Sequence, residues 1–443
     1  MIVEIANKPR DYAWGSLTAI AHALGRRASG RPEAELWLGA HPGSPARIVN
    51  PELAGGATTL LEWIERDPLT TLGTGASLLQ TPASARVSDD APGEVAPRLP
   101  FLLKILAADQ PLSLQAHPSP EKAAEGFARE NLLGVPLDSA GRNYRDASHK
   151  PELIVVLSSS FEALCGFRPL SEVREIVRAF RAADEESAVP APEAFTELES
   201  RLATDGDPSH VAEAGAHNAD APTVRGLVEW FLASDGARFV PQLVTLAAAV
   251  ESRATGNGVV KSAASTVKLL DHFYPGDPGI GLSLVLNRVS LHAGQALYLP
   301  TGNIHAYLNG LGVELMASSD NVLRGGLTPK HVDGHELLSV LDFSPGPAPV
   351  LSPESPRDGV TIFRPDVPDF VLARLECATE KAAVGPLRLR GPAIAIATEG
   401  NGELRGHETS VLMARGQSFF VTPDEGEVAF AGKGTVFVAT VGE

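Results

Sequence analysis

GQALYLPTGNIHAYLN, residues 294–309, is the stretch whose reading decides the fold. An apolar run, Leu282–Val289, precedes it and reads as a strand, joined to Gly294 by the short link 290–293. Ala296–Leu299 is apolar and strand-like. Pro300 and Gly302 then force a turn, because proline fixes one backbone dihedral and glycine adopts those that other residues avoid. His305 sits just past the turn and Asn309 closes the run. A lone histidine in such a hairpin is most often just half-buried. Here the spacing G-x5-P-x-G-x2-H-x3-N fixes five positions in sixteen residues, which points to a turn built to hold the histidine in place.

Working outward, Leu99–Ala107 reads as a buried strand with Lys104 inside it, either snorkelling or facing a polar cavity. Pro111–Pro118 follows as PLSLQAHP. In an extended chain residues two apart share a face, so Ser113, Gln115 and His117 point one way and Leu112, Leu114 and Ala116 the other. A surface strand wetted on its polar side is the commoner meaning; a strand lining a polar pocket is the alternative. Ser119-Pro120 marks a helix start, Glu121–Leu133 carries helix formers, and Gly134 can end it. His149-Lys150-Pro151-Glu152 leads straight into the strand Leu153–Leu157. A carboxylate beside that apolar run needs a partner, either a metal ion or Lys150, unless it lies on a solvated edge. Downstream, Gly312–Met316 reads as a strand. Ser318–His331 reads as a loop because of Gly325-Gly326 and Pro329. It concentrates Asp320, Arg324, Lys330 and His331, a charged surface loop or an anion-binding cluster.

At 443 residues with 44% hydrophobic content the chain exceeds one core, and two or three domains are expected. It has no apolar run of about 18 residues, so no membrane span is expected. The N-terminus MIVEIANKPRDYAWG lacks a basic region followed by an apolar core, so no secretory signal is expected. Two cysteines, Cys165 and Cys377, stand far apart in no metal spacing, which fits a reducing cytoplasm. The net charge of −17 argues against nucleic acid as a partner, although a local Lys/Arg cluster can still bind a small anion. Residues 81–98 read as a polar loop. From Ser171 the apolar period becomes helical: Val173, Ile176, Val177 and Phe180, then Phe195, Leu198 and Leu202, then Leu227–Leu232, Leu243–Val250 and Val260–Phe273. Asp205–Pro222, with His210 and His217, reads as solvated loop. The Pro- and Ser-rich segment Phe343–Pro356 reads as a linker into a strand-rich tail, 357–443. There Gly416–Pro423 echoes the opening motif with one extra residue and no histidine after it.

Gln115, His117, Glu152 and His305 together offer two oxygen and two nitrogen donors. That set suits zinc and leaves manganese, iron or cobalt open. The 294–309 stretch resembles the second motif of the cupin superfamily. The chain as a whole resembles the type I mannose-6-phosphate isomerases: YAWGS at Tyr12–Ser16, ELWLGAHP at Glu35–Pro42, PLSLQAHP at Pro111–Pro118, HKPE at His149–Glu152, and SDNVLRGGLTPK at Ser319–Lys330, in the family's order. The resemblance implies a mainly β fold with a helical domain: a central catalytic jelly roll from 1–168 with 274–345, an inserted α-helical domain at 169–273, and a degenerate C-terminal jelly roll at 346–443. It implies that Gln115, His117, Glu152 and His305 bind one zinc ion. It implies Arg324 as an active-site residue, with His149, Lys150, Asp320 and Glu314 near the reacting carbons and Ser113, Tyr307 and Lys330 on the substrate. The implied partner is a sugar phosphate, and a monomer is expected. The loop Ala83–Pro97, the segment Val189–Pro222 and Gly325 depart from the family pattern, all away from the ligands or conservatively.

The chemistry fits these residues on its own terms. Interconverting an aldose and a ketose phosphate moves a weakly acidic proton between neighbouring carbons through an enediolate. A metal stabilises the developing oxyanion and a base carries the proton. Lys150 and His149 are the candidate bases, and Arg324 can pair with phosphate or enediolate oxygen. A sugar-phosphate sensor on the same scaffold would not need the set His149, Lys150 and Arg324. A metal oxygenase would want more histidine ligands than Gln115 allows. A nucleotidyltransferase would want a Gly-rich nucleotide loop, which is missing.

Overall fold

The computed structural model describes residues 1–74, 97–203, 219–380 and 382–442. Most of the expected loop at 81–98, together with His210 and His217, lies outside them. Two ten-stranded antiparallel sheets and a helical block make up the described chain.

The first sheet is organised around one long strand, His305–Ala317, which emerges from the turn at Pro300–Gly302. Its start pairs with Leu114–Ala116, putting His305 opposite Gln115, and with Phe161–Phe167. Its second half lies between Phe101–Ala108 and Glu152–Val156. The changeover comes at a register shift after Tyr307 and at Gly310, whose φ is 130°. A Cβ there would lie 2.5 Å from the Phe161 ring and 2.9 Å from its Cα, so only glycine lets the strand switch neighbours. The expected strand at Gly312–Met316 is therefore the far half of a longer element. Two other readings change. The strand expected from Leu282 begins at Leu286, after a helical turn Gly279–Leu282 and a 3-10 turn Ser283–Val285. A short buried apolar run suits either conformation. The expected loop at 318–331 contains the strand Leu323–Gly326, which pairs with Leu114–Ala116 and sets Arg324 opposite Gln115.

Alternation along these strands gives the sheet two distinct faces. Phe101, Leu103, Ile105, Leu153, Val155, Val313 and Leu315 join one apolar core with Phe363, Phe370, Leu372, Ile394, Phe420 and Phe437 of the second sheet. Their neighbours Lys104, Glu152, Glu314 and Met316 point the other way, into the first sheet's concave side. Farther along that side the same phase carries Leu106, Ile154 and Val156 into a smaller apolar cluster with Phe161 and Tyr307.

The second sheet holds the strands from Glu354 onward. It also takes the chain's first strand, Ile2–Ala6, which pairs with Ser418–Val421 and, at Ile5 and Ala6, with Arg47–Ile48. Grouping all of 1–168 with the first sheet thus misses this crossing, which no local pattern in a five-residue strand encodes. The helical block matches its periodicity. Leu170–Glu185, Pro192–Ala203, Ala221–Leu232, Val240–Arg253 and Gly258–Phe273 bury Val173, Ile176, Val177, Phe180, Phe195, Leu198, Leu227, Leu243 and Val267 in one core. That core runs on to Ile304, Leu323 and Leu337 beside the first sheet.

Gly310→Ala is expected to destabilise the protein by about 1–3 kcal/mol, since it adds a clash to a positive φ. Chemical denaturation measures this, and an unchanged midpoint would count against the strand switch depending on glycine.

Candidate active site

On the concave side of the first sheet, His117, Glu152 and His305 converge, each buried, with ligand-type atoms all within 4.8 Å of one another. Different local structures deliver them. His117 follows the short strand Leu114–Ala116, Glu152 opens Glu152–Val156, and His305 opens the long strand behind the Pro300–Gly302 turn. The Nδ1 of His117 lies 2.7 Å from the Asn321 carbonyl, and the Nδ1 of His305 lies 3.0 Å from the Asn303 carbonyl. A carbonyl only accepts, so each Nδ1 carries the proton and each Nε2 presents a bare lone pair. Those lone pairs face Glu152: His117 Nε2 is 3.2 Å from Oε1 and His305 Nε2 is 3.4 Å from Oε2. Burial and the nearby Lys150 charge push the His117 imidazole down to about 4, so it stays neutral near pH 7. Burial opposes ionisation of Glu152, but the Lys150 charge beside it favours the carboxylate, and the carboxyl is held well below the usual carboxylate range.

Acceptors therefore face acceptors with no proton between them. The buried His117 Nε2 and Glu152 Oε2 have no hydrogen-bond partner. That arrangement is costly unless a cation sits among them. The Gln115 amide reaches His305 Nε2 at 3.2 Å, and rotating it by half a turn presents its oxygen instead of its nitrogen. Two imidazoles, a carboxylate and an amide oxygen fit a divalent ion bound at about 2.0–2.2 Å, as for zinc. Both histidines have the backbone-anchored Nδ1 that metal-ligating histidines need.

A cavity of about 580 Å³ opens beside this cluster. At its base Lys104 Nζ lies 3.0 Å from Glu314 and 3.6 Å from Glu35, and 5.2 Å from the centre of the Trp37 ring. Burial disfavours the Lys104 charge, but Glu314, Glu35 and Glu152 outweigh it and hold its pKa above the ordinary lysine value. Burial raises the Glu314 carboxyl, reinforced by Glu152 and Glu35 and opposed by Lys104. Lys150 Nζ is 3.1 Å from Glu152 and also faces the cavity. Asp320 is held by His41 at 3.2 Å. Because His41 Nδ1 accepts from the Gly43 N–H, its Nε2 is the nitrogen that donates to Asp320.

The mouth is cationic. Burial lowers the pKa of Arg324, and Arg145 adds repulsion; Lys330 is lowered by burial and by both arginines. Like charges crowded at an opening are relieved by a bound anion. The segment carrying them is strained, with Leu327 at φ 55°, a left-handed value rare for a bulky residue. Asp277, just past the helical block, compensates by accepting from the backbone N–H groups of Leu327 at 2.8 Å and Thr328 at 3.2 Å.

Of the residues singled out in the sequence, Gln115, Glu152, Lys150, Glu314, Asp320, Arg324, Ser113, Tyr307 and Lys330 line the cavity, with His117 and His305 directly behind. His149 does not. Its Nε2 lies 2.9 Å from Asp369, in a connection between strands of the second sheet, because consecutive residues of an extended segment point to opposite sides. Sequence reasoning passed over Glu35, Trp37, His41 and Arg145 as site residues. The family motif ELWLGAHP at Glu35–Pro42 covers three of them, and Lys104, a lone cation in an apolar strand, is the signal in the residues themselves that buried carboxylates lie nearby.

Residues 2–170 match the family model described as the phosphomannose isomerase type I catalytic domain. The chain is 33% identical over 436 residues to the mannose-6-phosphate isomerase of Salmonella typhimurium, covering 97% of each. It is 30% identical over 434 residues to that of Homo sapiens, covering 94% of this chain and 92% of the relative. Among solved structures, a mannose 6-phosphate isomerase bound with zinc and yttrium superposes with a TM-score of 0.79 at 30% identity, covering 100% of both chains. A zinc-bound holo form superposes with a TM-score of 0.78 at 30% identity, again over 100% of both chains.

His305→Ala is expected to weaken binding of a titrated divalent cation by more than the roughly 10–100-fold lost with an outer-shell partner. Elemental analysis and chelator competition read this, and unchanged occupancy would remove His305 from the ligand set.

Proposed function

The chain belongs to the type I mannose-6-phosphate isomerase family, and from that premise we propose how its cavity interconverts mannose 6-phosphate and fructose 6-phosphate. One observation carries the reading. Bare acceptor atoms of His117, His305 and Glu152 converge beside Lys150, in a cavity whose mouth is ringed by Arg324, Lys330 and Arg145. Gln115, His117, Glu152 and His305 would hold one zinc ion. When bound, that ion supplies Lewis acidity toward the sugar oxygens.

The chain's own groups do the rest. Arg324, Arg145 and Lys330 hold the phosphate, the guanidinium fork matching its oxygens. In its neutral amine form, which burial and a divalent ion held by Glu152 would favour, Lys150 takes the proton from one carbon and returns it to the neighbour, passing through an enediolate. Lys104 and Glu314 form a buried, fixed pair that can orient sugar hydroxyls, with Ser113 and the Tyr307 hydroxyl nearby. Asp320, fixed by His41, faces the same space and can assist opening of the sugar ring.

We further read the two sheets as cupin-type jelly rolls, the first catalytic and the second degenerate. The boundaries run near 168, 273 and 345, with strand Ile2–Ala6 exchanged into the second sheet. The two buried free thiols, Cys165 and Cys377, support a cytoplasmic enzyme, and we take it to act as a monomer.

A coupled assay with mannose 6-phosphate tests the function. Turnover is expected, abolished by chelation and restored by zinc; no turnover by the zinc-loaded protein would refute the reading. Arg324→Ala is expected to cut kcat/KM by about a hundredfold or more, while costing roughly 1 kcal/mol or less of stability. Wild-type kinetics in that variant would exclude Arg324 from the mechanism.

A further inference from the structure

We propose that Asp369, in the connection between the second-sheet strands Val360–Phe363 and Val371–Cys377, is a positioning residue for the reaction and acts through His149. The inference rests on the cavity being the isomerase site. It adds a reason why a sheet outside the metal cluster belongs to the catalytic unit.

The segment that delivers Lys150 and Glu152 is tied by its backbone at its two ends, the Ser148 carbonyl accepting from Ser319 Oγ at 3.1 Å and Asn321 Nδ2 at 2.8 Å at the start of it. His149, Lys150 and Pro151 are extended but lie outside the sheet ladder, which begins at Glu152. A single backbone bond, Ala317 N–H to the Pro151 carbonyl at 3.1 Å, holds this stretch to the long strand. Such a segment can twist about its axis, and a twist would turn Lys150 and Glu152 together, since they share a face.

The opposite face is where the restraint lies. His149 points toward the second sheet, in phase with Leu153 and Val155, which enter the core shared by the two sheets. There His149 Nε2 meets Asp369 Oδ2 at 2.9 Å, with side-chain exposures of 12% and 6%. Asp369 is itself fixed from both sides. Phe370 is fully buried in the shared core, and the Pro368 carbonyl accepts from the Gly442 N–H at 3.0 Å. A carboxylate this buried does not give up its partner cheaply. The pair therefore pins the rotation of the segment and keeps Lys150 Nζ at 3.1 Å from Glu152. Displacements of about 1 Å at a reacting group cost about a hundredfold in rate, so a restraint this far from the substrate still bears on turnover.

The test is a double-mutant cycle on the zinc-loaded enzyme, with Asp369→Ala, His149→Ala and the double variant. Each is read for kcat, KM and zinc affinity by chelator competition. Asp369→Ala is expected to lower kcat by about tenfold or more and zinc affinity by about tenfold. KM should move far less, because the phosphate-binding cations lie on other segments. The double variant is expected to be no worse than His149→Ala. Asp369→Asn, which keeps the shape and an acceptor for the His149 N–H, should recover most of the turnover. Unchanged kcat and zinc affinity in Asp369→Ala would overturn the proposal. So would losses that multiply in the double variant. If Asp369→Ala does not fold, Asp369→Ser takes its place with the same readings. An inactive wild-type enzyme would refute the isomerase reading instead, and the zinc-affinity arm of the cycle would still report on the coupling.

Discussion

A fully buried carboxylate facing two imidazole lone pairs is an unstable arrangement without a cation, and much of the first sheet exists to create it. Glu152 does not shed its charge by taking up a proton, because the Lys150 charge 3.1 Å away favours the carboxylate. The histidines cannot relieve it either, since each spends its one proton on a backbone carbonyl. The polypeptide thus leaves its strongest acceptors unpaired at one point. Lys150 neutralises part of the charge from one side, and the remainder is an electrostatic demand for a divalent ion. The cationic mouth makes the complementary demand for an anion. A substrate that brings phosphate at one end and hydroxyls at the other answers both.

The two-faced sheet lets these demands coexist with a stable fold. Every second residue of Phe101–Ala108 and Glu152–Val156, with Val313 and Leu315 of the long strand, enters the core shared with the second sheet, and this apolar face offsets the cost of the polar one. The charged residues on the concave face, Lys104, Glu152 and Glu314, occupy neighbouring strands in register. Glu314 lies directly opposite Lys104 and beside Ile154. The same alternation sends His149 outward to Asp369. The helical block contributes at a distance through Asp277, which holds the strained Leu327 segment between Arg324 and Lys330.

The parts of this arrangement visible in the sequence are those set by local rules. The Pro300–Gly302 turn, the helix after Ser119 with its serine cap, and the periodic helices of the block follow from backbone preferences and apolar spacing. That Gln115, His117, Glu152 and His305 come together was legible because each sits in a short motif at a strand end or turn. Long-range pairing was not legible. Nothing in IVEIA announces that it crosses to Ser418–Val421, and nothing in HAYLNGLGVELMA reveals that one strand bends at Gly310 to change partners. His149 was misread for a related reason. A motif names which residues gather, but the phase of an extended chain decides which side each one faces. Glu35 and His41 lie in the ELWLGAHP motif, but composition and spacing there do not say which residues face the cavity, and Arg145 reaches it from a segment whose local pattern carries no mark of it.

X-ray absorption at the zinc edge of the reconstituted protein tests the central claim most directly. The account predicts four light-atom scatterers at about 2.0–2.2 Å, with the multiple-scattering signature of two imidazoles and no sulfur shell. A spectrum with one or no imidazole, or with sulfur at about 2.3 Å, would contradict the convergence of His117, His305, Glu152 and Gln115 on a single ion.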